Sequence, residues 1–199
     1  MSSKIYCFDF DGTITHKDTL LEFIKYTHGL AGFLFGFLRY LPLLILMKLH
    51  LYPNYRVKQQ VFAHFYRGMT VGTFNKSCND FARDKKNIIR KAAKIKLEEA
   101  LKENAQIFVI SASIDNWVAP FFEDEFSVTV LGTQIEVKDG LVTGRFLTKN
   151  CYGEEKVERL KKVLTKSRDQ YEIIAFGDSR GDKEMLEYAD KGYYKPFRR

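Results

Sequence analysis

The sequence predicts an α/β protein in which a mostly parallel sheet carries helices on both faces and a helical insert follows the first strand. Short apolar segments alternate with amphipathic segments along most of the chain. Such alternation is typical of parallel sheets with helical crossovers. Several apolar segments end in Asp, Ser or Gly, as expected where a ligand site lies at the carboxyl ends of strands.

The individual elements follow from hydrophobic periodicity and turn residues. Asp139-Gly140 between two alternating segments predicts a hairpin. The expected strands are 4–10, 106–111, 128–131, 134–138, 141–146, 171–176 and 192–195. The expected helices outside the insert are 88–104, 114–125, 154–166 and 183–188. Residues 1–15 and 87–199 are therefore expected to form the sheet domain, and residues 16–86 (hereafter the insert) a helical cap.

The insert differs from the rest of the chain in structure and charge. Its expected helices are 19–28, 30–51 with a break near Pro42, 55–67 and 71–84. It contains eleven Lys or Arg residues, four acidic residues and all four histidines. Its excess of seven positive charges equals the net charge of the whole chain, +7, so the remainder is neutral. A positive field of this kind steers anions toward a nearby site.

Residues 29–47 form an apolar run nearly long enough to span a bilayer. A spanning helix is not expected, because Arg39 near its middle would cost about 3 kcal/mol and Pro42 would remove a helix hydrogen bond. Two interpretations remain open: a buried cap helix, or an interfacial helix in contact with anionic lipid. The basic residues along and beside the run are Lys25, His28, Arg39, Lys48 and His50.

The first expected strand ends in Asp9-Phe10-Asp11-Gly12-Thr13. On an extended strand, residues i and i+2 point to the same side, and two acids delivered by a buried strand indicate a site because unpaired buried charge is costly. Such acids can hold a divalent cation, and one can attack an electrophile while the other handles a proton. The alternative is an ordinary strand end with a solvated Asp-Gly turn.

Three later segments place further polar residues at strand ends or helix starts. Ser111 and Ala112 end an apolar strand before a helix, where a hydroxyl and free backbone N–H groups can bind an anion. Lys156 lies in the first turn of a helix, where a cation opposes the helix dipole, so a bound anion would explain it. Asp178 and Asp182 follow the strand 171–176 and are expected to face the same cleft.

These four segments, in this order, resemble the haloacid dehalogenase superfamily of phosphohydrolases. Its signature is DxDGT, then a strand-end Ser or Thr, then a Lys, then GDxxxD. The long helical insert resembles the phosphoserine phosphatase-like branch, subfamily IB. The form Cys-x-Gly-x-x-Lys around Lys156 is similar to a subgroup that includes the C-type phosphatidylglycerophosphate phosphatases.

The resemblance implies a Rossmann-like core and a Mg²⁺-dependent phosphomonoester hydrolase. It implies that Asp9 is a nucleophile that forms an aspartyl phosphate, and that Asp11 is the general acid and base. The implied Mg²⁺ ligands are Asp9, Asp11 through its carbonyl, Asp178 and Asp182. The implied phosphate-binding residues are Gly12, Thr13, Ser111, Ala112 and Lys156.

The substrate is expected to be a phosphate monoester with a hydrophobic portion, such as phosphatidylglycerophosphate, because the insert is apolar and basic. The alternative is a small soluble phosphate. Phosphoserine phosphatases use a cap acid and a cap arginine. Asp18 lies near the acid position; Arg56 and Arg67 are near the arginine position, but neither matches it by motif. Gly181 stands where those enzymes usually have Asn, which counts against phosphoserine.

Functions outside hydrolysis fit the sequence less well. A basic lipid- or phosphate-binding module would not need Asp11. Nucleic acid is not expected as a partner, because the basic residues are interleaved with the apolar residues of an expected helical core. Cys7, Cys78 and Cys151 have no metal-type spacing and are expected to be reduced, buried thiols. With no signal peptide pattern, the expected location is the cytoplasm, with peripheral attachment to the inner face of the membrane as an open alternative.

Overall fold

The computed structural model describes residues 3–49, 51–123 and 127–198. The strands are β1 (Ser3–Phe8), β2 (Gln106–Ile114), β3 (Val128–Thr133), β4 (Ile135–Lys138), β5 (Leu141–Phe146), β6 (Tyr171–Gly177) and β7 (Lys191–Tyr194). The helices are α1 (Thr19–Lys48), α2 (Asn54–Tyr66), α3 (Val71–Asp84), α4 (Lys91–Lys102), α5 (Asp115–Val118), α6 (Glu154–Val163) and α7 (Lys183–Tyr188).

The main sheet has five parallel strands in the order β3-β2-β1-β6-β7. After β1, the chain builds β2 and β3 on one side of it and later adds β6 and β7 on the other side. This reversal makes the end of β1 a topological switch point, where open α/β sheets bind ligands. The predicted fold class, a parallel α/β sheet with a helical insert after its first strand, is confirmed.

The two faces of the sheet are covered by different hydrophobic clusters. Tyr6 and Phe8 of β1 face one cluster, which includes residues of α4, whereas Ile5 and Cys7 face the other, which includes residues of α6 and α7. Alternate side chains of a strand point to opposite faces, so β1 is buried on both. Cys7, Cys78 and Cys151 are all buried and unpaired, as expected.

Helices α1–α3 form the insert, and α1 is bent at Gly29, which has a positive φ of 68°. The expected separation of helices 19–28 and 30–51 is therefore found. The expected break near Pro42 is wrong, because the backbone stays helical there. Pro42 lies on the exposed side of α1, where solvent can hydrogen-bond the carbonyl that proline leaves free.

The expected helix 114–125 differs most from the structure, whereas the expected helices 88–104 and 154–166 are found in the shorter form of α4 and α6. The expected helix 114–125 is mostly replaced, because β2 continues to Ile114, α5 ends at Val118 and a 3₁₀ turn follows at Ala119–Phe122. Residues 124 and 125 of that helix, and His50 at the end of the expected helix 30–51, lie outside the described residues.

The insert shares its hydrophobic core with the sheet. The ring of Phe23 in α1 lies 5.3 Å from Tyr66 of α2, 5.3 Å from Phe81 of α3 and 5.2 Å from Trp117 of α5, between ring centroids. Aromatic pairs at these separations stabilise a core beyond the area they bury. These rings belong to the same buried cluster as Phe8 of β1, so the insert is held against the sheet rather than standing apart from it.

The chain enters and leaves the insert through paired segments. Thr15 and Ile89 form an antiparallel bridge. The His16 N–H donates to the Ile88 carbonyl at 3.0 Å, and the Arg90 N–H donates to the Ile14 carbonyl at 2.8 Å. These bonds hold both connections at one place beside the end of β1.

The hairpin β4–β5 packs on the insert, although the expected boundaries assign it to the sheet domain. The Val142 N–H donates to the Met69 carbonyl at 2.9 Å, and the Phe146 N–H donates to the Gln59 side chain at 2.9 Å. A Cβ on Gly144 would lie 2.7 Å from the Cβ of Ala63, so β5 approaches α2 closely.

The second half of α1 exposes a stripe of apolar side chains, hereafter the α1 stripe. It consists of Leu30, Leu34, Leu38, Leu41, Ile45 and Leu49, with exposed fractions between 48% and 66%. The spacing of three and four residues places them on one face of a helix. Within the described residues, α1 is the one helix that is long and apolar enough, by length and composition alone, to cross a membrane, and little of its apolar segment is buried.

Candidate active site

The carboxyl ends of three adjacent strands bring the expected site residues together. Asp9 follows β1, Asp178 follows β6, and Ser111 lies near the end of β2. The Asp9 N–H donates to the Phe176 carbonyl at 2.9 Å, which fixes its backbone at the sheet edge. All three side chains are buried. The sheet thus delivers these polar groups to one point at the switch between β1 and its neighbours.

Lys156, in the first turn of α6, is the centre of the buried charges. Its Nζ donates to Asp9 Oδ1 at 2.6 Å, to Asp182 Oδ1 at 2.6 Å and to the Ile110 carbonyl at 2.7 Å. Burial alone lowers the pKa of a lysine, but the two carboxylates outweigh it and raise the pKa of Lys156 above its usual value. The ammonium therefore stays charged with all three of its N–H bonds used.

The pKa values of the two carboxyl groups beside Lys156, those of Asp9 and Asp182, are shifted in opposite directions. Burial raises the pKa of Asp9 to about 7, although Lys156 opposes the shift. Burial also acts on Asp182, but Lys156 and donors from Ser179 outweigh it and lower the pKa of Asp182. Asp182 Oδ2 accepts from the Asp178 N–H at 3.1 Å and from the Ser179 N–H at 2.9 Å. The Asp182 carboxylate is therefore the more firmly held of the two.

The carboxylates of Asp9, Asp178 and Asp182 are arranged as a cation site would require. They are buried, and each offers an oxygen atom within 4.8 Å of the others. A Cβ on Gly12, which has a positive φ of 81°, would collide with the Asp178 carboxylate, so the loop must pass close to it. Grouped carboxylate oxygens are the ligands that Mg²⁺ prefers, so these residues fit the expected ion.

Asp11 does not join that group and is held by other donors. Its Oδ1 accepts from the Thr19 N–H at 2.7 Å and the Thr19 hydroxyl at 2.6 Å, and its Oδ2 accepts from the Ser113 hydroxyl at 2.5 Å. Trp117 Nε1 donates to the Thr19 hydroxyl at 3.2 Å. The first turn of α1 and the end of β2 thus orient Asp11 together.

The remaining expected phosphate-binding residues lie near the carboxyl ends of β1 and β2. The Thr13 hydroxyl donates to Asp9 Oδ2 at 3.1 Å. The buried Ser111 hydroxyl oxygen accepts from the Ser113 N–H at 3.0 Å. The Ala112 carbonyl accepts from the Lys58 ammonium at 2.6 Å and from the Thr133 hydroxyl at 2.9 Å.

A cleft of about 780 Å³ opens from Asp9 toward the insert. Asp18 lines it and caps α1 by accepting from the Leu21 N–H at 3.1 Å. The other two expected substrate residues lie elsewhere: Arg56 is exposed beside Tyr55, and Arg67 lines a separate cavity against β5. The insert contributes apolar side chains to the lining of the cleft, namely Leu20, Leu21, Phe37, Leu44, Met47, Val57 and Val61.

Sequence reasoning missed several polar residues that line this cleft. Lys58 enters from α2, and Arg198 from the segment after β7, where its guanidinium contacts the Asp178 carboxylate. The buried ring of Phe197 holds that segment, with its centroid 5.3 Å from the Phe176 ring. The sequence feature that could have indicated the position of Arg198 is the apolar Phe197 before it, which predicts that this segment packs against the sheet domain. Lys58 had no comparable signal among the many lysines of the insert.

The buried carboxylates around Lys156 lie at the switch point of the parallel sheet, where α/β proteins bind ligands. The sequence model of the haloacid dehalogenase-like hydrolases matches residues 7–187, and the chain belongs to that family. The protein CicA of Caulobacter vibrioides is 33% identical over 198 residues, which cover 98% of this chain and 86% of CicA.

Solved structures share the fold. A Bordetella pertussis protein of unknown function superposes with a TM-score of 0.81 at 19% identity, over 94% of this chain and 87% of that one. A phosphoserine phosphatase, solved as an analogue of its phospho-aspartyl intermediate, superposes with a TM-score of 0.60 at 19% identity, over 98% of this chain and 86% of that one. At 19% identity, both superpositions show a shared fold.

Proposed function

We propose that this chain is a Mg²⁺-dependent phosphomonoesterase that works through an aspartyl phosphate on Asp9, with the insert as its cap. The observation that carries the proposal is the buried group of Asp9, Asp178 and Asp182 around Lys156. Phosphoryl transfer needs a nucleophile within a field that offsets the negative charge of the phosphoryl oxygens. The family to which the chain belongs consists of hydrolases.

In the proposed first step, an Asp9 oxygen bonds to phosphorus while the bond from phosphorus to the ester oxygen breaks. Asp11 gives a proton to the departing alkoxide. In the second step, Asp11 takes a proton from water, whose oxygen bonds to phosphorus, and the Asp9–phosphorus bond breaks to release phosphate. The Ser111 hydroxyl binds a phosphoryl oxygen in both steps. Lys156 and Thr13 donate to Asp9 before the reaction, and they turn these donors to phosphoryl oxygens once Asp9 carries the phosphoryl group.

Asp9, Asp178 and Asp182, with the Asp11 carbonyl, would hold the Mg²⁺ ion. When bound, the ion supplies positive charge beside the reacting phosphoryl group. Lys156 keeps Asp9 and Asp182 close together without mutual repulsion, because its ammonium donates to both.

The proposed substrate is a phosphate monoester with a hydrophobic portion, such as phosphatidylglycerophosphate. Support comes from the cleft, whose lining includes Asp9 together with the apolar side chains of Phe37, Leu44 and Met47. A soluble substrate such as phosphoserine would leave those apolar side chains without a partner. The positions of Arg56 and Arg67 outside the cleft also give phosphoserine no arginine from the expected positions.

The α1 stripe is proposed to rest on an anionic membrane surface, which would place the cytoplasmic enzyme beside such a substrate. Its leucines are more than half exposed in several cases, for example Leu38 at 66%. Basic residues of α1 lie near it, and each contributes about 1 kcal/mol near anionic lipid. Leu44, in contrast, lines the cleft, so it is not a residue of the membrane-facing side.

Co-sedimentation with phosphatidylglycerol vesicles tests the attachment. We expect binding that falls with salt and with Leu38→Asp, whereas Leu147→Asp, at a site outside α1 that is 65% exposed, leaves binding unchanged. Equal binding by all three proteins, or none at low salt, would remove the membrane from the proposal.

Hydrolysis of p-nitrophenyl phosphate with and without Mg²⁺ tests the activity itself. We expect turnover that needs the ion and stops in EDTA. A panel of phosphoserine, sugar phosphates, nucleotides, lysolipid phosphates and phosphatidylglycerophosphate then ranks the substrates. A folded protein that binds phosphate but hydrolyses none of them would instead be a binding module.

A further inference from the structure

We propose that Lys58 binds a second anionic group of the substrate, so that preferred substrates carry another negative charge a few atoms from the scissile phosphomonoester. This inference rests on the proposed phosphatase function and specifies its substrate class. The residue belongs to α2 of the insert, and its ammonium reaches across the cleft to the Ala112 carbonyl of β2 at 2.6 Å.

The position of Lys58 relative to Lys156 sets the distance between the two charges. Lys156 donates to the Ile110 carbonyl, and Lys58 to the Ala112 carbonyl, two residues further along the same strand. Those residues are about 7 Å apart or less along the strand. Two ammonium groups bonded there lie within about 12 Å of each other. Within this limit, a phosphoryl group at Lys156 and a second anion at Lys58 can belong to one small molecule, joined by a short bridge.

The Lys58 ammonium has donor capacity to spare. Across the ranges that the structure describes, its hydrogen-bond acceptor is the Ala112 carbonyl, which leaves two N–H bonds for a ligand. The nearby carboxylates have donors of their own, because Asp11 accepts from Thr19 and Ser113, and Asp18 accepts from the Leu21 N–H.

Burial and the neighbouring carboxylates act on the pKa of Lys58 in opposite directions. Burial lowers the pKa of Lys58, while Asp11 and Asp18 act in the opposite direction without reversing the shift. A bound anion would hold the ammonium in its charged form. Further basic side chains that line the same cleft are Lys17, Arg90 and Arg198.

The groups that line the cleft describe the substrate. They include Asp9 at the reactive end, the cation of Lys58, and apolar side chains such as Phe37 and Met47. A phosphomonoester joined through a glycerol-sized bridge to a phosphodiester that carries hydrocarbon has a matching group for each of them. A monoanionic alcohol phosphate leaves Lys58 without a ligand.

Two soluble probes separate these cases: glycerol 3-phosphate, which has no second anionic group, and glycerophosphoglycerol phosphate, which carries a phosphodiester beside its monoester. We expect the wild-type enzyme to prefer the second in kcat/KM. Lys58→Met should reduce that preference about 10- to 100-fold, the value of a hydrogen bond to a charged group. Lys58→Arg should keep most of it, and the exposed Lys94→Met on α4 should keep all of it.

The alternative role of Lys58 is only to hold the insert against β2, and the same data decide between the two roles. A fastening role predicts equal losses of kcat/KM on both probes, which would overturn the proposal. Calorimetric titration of Asp9→Asn protein gives a readout without turnover: we expect tighter binding of the second probe, lost in Asp9→Asn/Lys58→Met. Equal binding of both probes would contradict the role of Lys58, whereas absence of turnover in the wild type would contradict the phosphatase function alone.

Discussion

The end of the sheet and the second half of α1 depart from ordinary burial in opposite ways. Around Asp9, charged groups are buried, with Lys156 exposed by 1% and Asp182 by 0%. Along the α1 stripe, apolar groups are exposed, with Leu30 at 65% and Leu38 at 66%. Buried charge is costly unless paired, and soluble proteins rarely expose large contiguous apolar patches. The buried charges around Asp9 and the exposed α1 stripe therefore each indicate a site of contact with another molecule.

The two regions also differ in what stabilises them. The buried charges compensate one another, since Lys156 donates to two carboxylates and a carbonyl. The α1 stripe has no equivalent compensation, because its side chains face away from the cluster that holds the first half of α1 through Phe23. Substitutions in the two regions should therefore have very different consequences for folding.

The largest effect is expected at Lys156. Lys156→Met leaves Asp9 and Asp182 buried side by side without a cation, which typically costs about 3–5 kcal/mol of the free energy of unfolding. Urea denaturation measures that loss, and phosphatase activity should disappear with it. Lys161→Met, at a half-exposed position on the same helix, should change stability by less than about 0.5 kcal/mol. Equal stabilities of the two variants would mean that Lys156 does not stabilise the buried carboxylates of Asp9 and Asp182.

Substitution of Asp11 tests whether Asp9 and Asp11 have separate roles, as nucleophile and proton donor. Asp11→Asn should slow an alkyl phosphate such as glycerol 3-phosphate by about 10²–10⁴-fold, because the poor leaving group needs a proton. The loss on p-nitrophenyl phosphate should be much smaller, since its leaving group is stable as an anion. Steady-state kinetics on both substrates provide the measurement, with Asp139→Asn in the exposed hairpin turn as control. Equal losses on the two substrates would show that Asp11 is not the proton donor.

The comparison predicts unequal costs for two large-to-small substitutions in α1. Phe23→Ala removes a fully buried ring and should lower the free energy of unfolding by about 3–5 kcal/mol. Leu38→Ala on the α1 stripe should change it by about 0.5 kcal/mol or less. Chemical denaturation of both variants provides the values. A large loss for Leu38→Ala would mean that the stripe is part of a folded interface, such as one between two copies of the chain.

The smallest effect concerns pH and Mg²⁺. Burial raises the pKa of Asp9 to about 7, whereas the pKa of an aspartate in the unfolded chain is about 3.9. Without the ion, the contribution of Asp9 to stability is complete below about pH 4 and is lost as the pH rises toward about 7. Mg²⁺ binds the carboxylate, so the increase in Tm that it causes should be larger at pH 7.5 than at pH 5.5. Asp9→Asn should remove most of this difference; an increase independent of pH would contradict the assignment of Asp9 to the cation site.

Much of the sheet and its site could be predicted because strands end where the apolar pattern ends. Asp9, Ser111 and Asp178 follow apolar runs, and parallel strands present their carboxyl ends at one edge. Lys58 and Arg198 were missed because their positions in the cleft depend on how α2 and the segment after β7 pack, which no local pattern encodes. For the same reason, hydropathy left the run 29–47 open between a buried and an interfacial helix.

Two differences between the expected and the observed elements, in β2 and in α1, have local physical causes. β2 extends to Ile114 instead of stopping at Ser111, because Ile114 pairs with Thr133 of β3 after a shift in register. The bend in α1 follows Gly29, which alone among the residues of that helix leaves the helical conformation, rather than Pro42. A glycine with positive φ interrupts a helix more sharply than a proline whose missing hydrogen bond faces solvent.

Chemical trapping of the intermediate tests the central claim that buried Asp9 is the nucleophile. Borohydride reduces an aspartyl phosphate to homoserine, which peptide mass spectrometry locates by residue. We predict homoserine at position 9 when the enzyme turns over p-nitrophenyl phosphate with Mg²⁺, and none in EDTA or in Asp9→Asn. Rapid release of phosphate with position 9 still aspartate, or homoserine at another position, would contradict the account.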